Sequence, residues 1–96
     1  MFSALLILCG CATGSHTLTG KARPQINADA VKIYTAMPSD AEIIGLVNSS
    51  SGRMSYAVDK IKTEAGKLGA NGVVITAQEN IGMGGFMVSG NAVFVP

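Results

Sequence analysis

Leu68-Gly69-Ala70-Asn71-Gly72-Val73-Val74-Ile75 is the stretch whose reading decides the fold. Before it, apolar residues recur at helical spacing; after it, they form an unbroken β-branched run. Leu68 closes the buried stripe of a helix, and Gly69 can take the left-handed conformation that ends one. Val73, Val74 and Ile75 favour a buried strand. Leu68, Gly69, Ala70 and Asn71 are therefore expected to form a structural junction between helix and strand.

Upstream of the junction, Met54, Ala57, Val58, Ile61, Ala65 and Leu68 repeat at spacings of three and four, with Asp59, Lys60, Lys62, Glu64 and Lys67 on the other side. This predicts one amphipathic helix over 54–68. Any serine of 49–51, or Ser55, is a candidate to cap it. Gly66 costs the helix about 1 kcal/mol relative to alanine, which a close approach of helix to sheet would explain. Asp59, Lys60 and Glu64 read as exposed pairs worth about 0.2–0.5 kcal/mol each, serving solubility. Earlier still, 31–35 alternates so that Val31, Ile33 and Thr35 share a strand face, and Met37-Pro38-Ser39-Asp40 turns the chain. Residues 41–47 form a second strand, with Gly45 marking a bulge or a close backbone approach, and 48–52 is a polar loop. Beyond the junction, a third strand covers 72–78, a glycine-rich connection 79–85, and a fourth strand 86–95, kinked or bulged at Gly90. The fold class expected for 28–96 is α+β, in the order ββαββ, with one amphipathic helix packed on a small, mainly antiparallel sheet.

The amino terminus has a different character. Met1-Phe2-Ser3-Ala4-Leu5-Leu6-Ile7-Leu8-Cys9-Gly10-Cys11 is an apolar run ending on small residues. It is shorter than the ~20 residues a membrane-spanning helix needs, and it has the form of the end of a secretory signal peptide. Leu8-Cys9-Gly10-Cys11 resembles the bacterial lipobox, in which an aliphatic residue and a small residue precede the cysteine that carries lipid. Cys11 fits that role better than Cys9, which would place the bulky Leu8 where a small residue is required. Residues 1–10 are then a signal peptide, the lipid sits on Cys11, and 11–27 is a flexible tether rich in threonine, serine and glycine. By resemblance to enterobacterial lipoproteins, Ala12 after the cysteine implies export to the outer membrane. His16 reads as a solvated residue of the tether, with no second ligand nearby for a metal.

Composition narrows the function. The chain of 96 residues is 48% hydrophobic and 14% charged, with a formal net charge of +1. That rules out the basic footprint of a nucleic-acid binder. Both cysteines lie in the first eleven residues, so no disulfide staples the domain. Within 28–96 no histidine, cysteine or paired carboxylate supplies a catalytic constellation. Asp40 and Glu42 read as solvated residues beside a turn. Gly82-Met83-Gly84-Gly85 lacks the lysine and following helix of a phosphate loop, and Met83 and Met87 read as packing residues rather than soft-metal ligands. The expectation is no enzyme, no cofactor and no metal site.

Val31-Lys32-Ile33-Tyr34, Ile44-Gly45-Leu46-Val47, Leu68-Gly69-Ala70-Asn71-Gly72-Val73-Val74 and Val88-Ser89-Gly90-Asn91-Ala92-Val93 together resemble the YbjQ/RcsF-type superfamily over about 28–95. That group contains small dodecin-like pentameric proteins and outer-membrane lipoproteins, one of them an envelope stress sensor. The sensor's domain has disulfide-forming cysteines and this domain has none. The resemblance implies a non-enzymatic lipoprotein on the periplasmic face of the outer membrane, held by its lipid and working through contacts with envelope proteins in stress sensing or assembly. The alternative it implies is an oligomeric, dodecin-like module that binds a small ligand. Open sheet edges in so small a fold also invite homo-oligomerisation.

Overall fold

The computed structural model describes residues 13–21, 23–82 and 84–96, and the junction in it takes the form its residues require. Helix α1 (Met54–Lys67) ends at Leu68, after which Gly69 takes a φ of 85°. The Gly69 amide donates to the Gly66 carbonyl and the Ala70 amide to the Ala65 carbonyl. This is a Schellman pair, which satisfies carbonyls that the last helical turn leaves open. Asn71 completes the turn with its side chain. Its Nδ2 donates to the Val95 carbonyl (2.7 Å) and its Oδ1 accepts from the Val95 amide (2.8 Å), so it pairs with the C-terminal segment much as a backbone residue would.

Five strands form one sheet: β1 (Thr13–Leu18), β2 (Lys32–Tyr34), β3 (Glu42–Ser51), β4 (Gly72–Gly82) and β5 (Gly85–Phe94). Their order is β1-β3-β5-β4-β2. All neighbours are antiparallel except β2 and β4, which run parallel. The expected ββαββ order and mainly antiparallel sheet are thus corrected to βββαββ and a mixed sheet. The additional strand is β1, from the stretch expected within a tether. A polar strand needs only an open edge to pair with, and the outer edge of β3 offers one. The parallel pair arises because β2 docks beside the first residues of β4, with β3 and α1 intervening in the chain. Val31 is buried as expected, but Ile33 is exposed, since β2 is a short strand at the sheet's border.

The loop expected at 48–52 is largely strand. Asn48, Ser49 and Ser50 pair with β1 on one side and β5 on the other, which satisfies their backbone whatever side chain they carry. Ser49 is buried and donates its hydroxyl to the Ala57 carbonyl at 2.6 Å. No serine caps α1: the N-cap residue is Arg53, without a side-chain cap bond.

Helix α1 covers one face of the sheet. Ala57, Ile61, Ala65 and Leu68 meet Ile44, Val47, Val73, Val88 and Ala92 in the core. Gly66 faces elsewhere than expected. A Cβ there would stand 2.3 Å from the Ile26 carbonyl oxygen, and the Ile26 amide donates to the Gly66 carbonyl at 2.9 Å. The missing side chain makes room for the segment before β2, not for the sheet. The ladder shifts register between Ile43 and Gly45, between Ile75 and Ala77 and between Asn80 and Gly82; the expected bulge at Gly90 is instead on the facing strand. The bulge at Ile44 turns Ile44 and Gly45 toward the helix in succession, and so makes Ile43 and Leu46 neighbours on the opposite face. No helix among the described residues is long and apolar enough to cross a membrane.

Candidate functional site

Two places hold side chains that packing alone does not explain. The first is the sheet face that α1 leaves open. Alternation along the ladder places Ser15 and Thr17 of β1, Ile43, Leu46 and Asn48 of β3, and Met87, Ser89 and Asn91 of β5 on it. None of these is charged; at the other border of the same face the ladder adds Val74, Ala77 and the exposed Glu79 of β4, opposite Asn91, Ser89 and Met87, and the exposed Lys32 of β2. Ile43 is 46% exposed and Leu46 51%, side by side because of the bulge. Ser15 donates its hydroxyl to Asn48 Oδ1 at 3.0 Å across the strands. At one end the Tyr34 ring lies over Gly72, beside Val93, and finishes the face. The charges thus stand at the β4–β2 border of the face, and its β1–β3–β5 part has the depletion of charge found at the centre of a protein interface.

The second place lies under β1 on the helix side. Glu64 is 3% exposed, although it carries a charge. His16 Nδ1 donates to its Oε1 at 2.6 Å; Lys67 and Lys60 bring their Nζ atoms to 3.4 and 3.5 Å of Oε2. Burial opposes ionisation of this carboxyl. The hydrogen bond from His16 and the positive charges of Lys67 and Lys60 outweigh burial and hold its pKa below the ordinary value of 4.5. Gly14, which precedes this contact in β1, has no room for a side chain: a Cβ would meet Glu64 Cγ at 2.9 Å. The carboxylate therefore ties the border strand to the helix. An imidazole oriented by a carboxylate is also the orienting half of a general-base pair. Ser49, on the same face, gives its proton to the Ala57 carbonyl rather than to the histidine. No group of three or more His, Cys, Asp and Glu that could hold a metal ion occurs among the described residues.

The junction residues Leu68, Gly69, Ala70 and Asn71 come together as a structural turn, with Leu68 and Ala70 in the core. Asp40 and Glu42 are exposed, and Glu42 accepts from Arg23 Nη2 at 3.2 Å. Cys11 and Met83 lie outside the described residues. The pairing of His16 with Glu64 was not foreseen: His16 was expected in a solvated tether and Glu64 on an exposed helix face. A signal exists for one of them: Glu64 stands three residues after Ile61 and four before Leu68, inside the apolar stripe. For His16 there is none, since Thr13–Leu18 has no apolar alternation to mark a strand.

Comparison with known proteins yields one structural likeness. The crystal structure of the Francisella virulence factor FvfA superposes with a TM-score of 0.66 at 15% identity, covering 86% of this chain and 97% of that one. At this identity the likeness establishes a shared fold. No family model and no curated protein matches the chain.

Proposed function

We propose that this chain is a lipid-anchored, non-enzymatic protein of the bacterial outer membrane, facing the periplasm, that works through contacts with other envelope proteins in stress sensing or envelope assembly. The observation that carries the reading is the uncharged β1–β3–β5 part of the open sheet face, with Ile43 and Leu46 exposed together in it. Polar groups that can pair without charge, Ser15, Thr17, Asn48, Ser89 and Asn91, surround that apolar pair. This is the composition of a contact surface with an apolar middle and a neutral rim. The lipobox-like Leu8-Cys9-Gly10-Cys11 supports the anchor. FvfA is described as a virulence factor, but the role proposed here rests on this chain's own residues.

Site-specific photocrosslinking in intact cells tests the proposal. A photoreactive residue at position 46 should yield a discrete heavier adduct, and one at the exposed Asp59 on the helix side should not. The adduct should disappear in Cys11→Ala, together with metabolic palmitate labelling. Equal crosslinking from 46 and 59 would count against a specific surface. Adducts of twice the chain's mass alone would replace a foreign partner with self-association.

A further inference from the structure

The expected tether between lipid and domain is taken up by the sheet. Strand β1 begins at Thr13, so one residue, Ala12, separates it from Cys11. An extended chain spans at most about 3.6 Å per residue, so the Cys11 Cα lies within about 7 Å of the Thr13 Cα. Register then determines which end of the domain is held there. Thr13 pairs with Ser50, Ser51 with Phe86, and Gly82 with Gly85. The start of β1, the end of β3, the closed end of the β4–β5 hairpin and the start of α1 therefore share one pole. The junction at Gly69, the start of β3 and the C-terminus share the other.

We infer that this pole, with Arg53 and Tyr56 at its surface, rests directly on the lipid leaflet that holds Cys11. The inference rests on the lipid anchor proposed above and adds an orientation to it. The chemistry of the pole suits a headgroup layer. Tyr56 is 51% exposed, and the Arg53 guanidinium lies 5.4 Å from its ring centroid, so an aromatic ring and a cation are presented together. Tyrosine partitions to the membrane interface, and arginine is drawn to lipid phosphates. The first turn of α1 has no acidic residue. Gly82 and Gly84, which flank the closed end of the hairpin, are both at positive φ and have open space where a Cβ would be. The exposed carboxylate of Glu79 stands three residues back along β4. In this orientation the hairpin stands upright on the leaflet, and the open sheet face is presented sideways, clear of lipid.

Fluorescence quenching tests the orientation, because the chain has no tryptophan of its own. The full chain, produced with its native processing, is prepared as Tyr56→Trp and as Asp40→Trp; Asp40 is exposed and two residues before β3 begins, at the far pole. Each is reconstituted into phosphatidylethanolamine/phosphatidylglycerol vesicles with and without brominated acyl chains. Brominated lipid should lower the emission of Y56W at least twofold and leave D40W unchanged. Equal quenching of both, or of neither, in protein whose mass shows acylated Cys11 would overturn the docking and leave the anchor standing. A Cys11 peptide without an acyl mass would overturn the anchor, and the docking with it.

Discussion

His16→Ala, Glu64→Ala and their combination form a double-mutant cycle that tests whether one hydrogen bond to a buried carboxylate holds the border strand. A hydrogen bond to a charged group is worth about 1.5–3 kcal/mol. His16 has 35% of its side chain in contact with solvent, which screens part of that, whereas Glu64 is nearly closed off. A coupling energy near the lower end, about 1.5 kcal/mol, is expected at pH 7. H16A alone leaves a buried carboxylate with only Lys60 and Lys67, and should cost more than E64A adds to it. Urea unfolding followed by far-UV circular dichroism measures all four proteins. The pH dependence has a definite sign. The folded-state pKa of Glu64 lies below its unfolded value of about 4.5, so its contribution is complete above that pH and disappears as pH falls through the lowered value. At pH 3 the coupling should therefore shrink. Additive single mutants at pH 7, or a coupling that survives protonation of Glu64, would refute the role assigned to the pair.

Other outcomes follow from the packing. Gly66→Ala should destabilise by about 1–3 kcal/mol despite its gain of about 1 kcal/mol in helix propensity, because the new methyl group meets the Ile26 carbonyl; Gly52→Ala, with open space around it, should change urea stability little. Asn71→Ala removes two hydrogen bonds to Val95, a loss of roughly 1–3 kcal/mol, and should lower Tm by about 5–15 °C in a calorimetric scan. Leu46→Lys should leave stability within about 0.5 kcal/mol, since the side chain is half exposed, and yet abolish partner crosslinking from the photoreactive position 48.

What the sequence disclosed follows a physical division. The helix and its end were legible because apolar periodicity and a left-handed glycine are local signals; Leu68 to Asn71 needed no knowledge of the rest of the chain. Strand β1 was not legible because Thr13–Leu18 lacks apolar alternation and becomes a strand only when β3 provides an edge. The serines of β3 misled for the same reason, since Ser49 belongs in a core only because Ala57 offers a carbonyl to it. Glu64 was placed on the wet side because charge was weighed above position; its place between Ile61 and Leu68 was the better guide. The apolar pair on the open face is not legible beforehand, since the bulge at Ile44 reverses the alternation between Ile43 and Leu46.

The strand order bears on how such a domain comes into being. Both borders of the sheet, β1 and β2, are encoded before residue 42, and β5, which alone among the described strands touches both β3 and β4, follows them all. A polypeptide delivered amino end first therefore produces the rims of this sheet early and its keystone after every other strand. Any nascent chain stopped short of Gly85 has two strand pairs that no strand joins, and only the helix reaches across the gap between them.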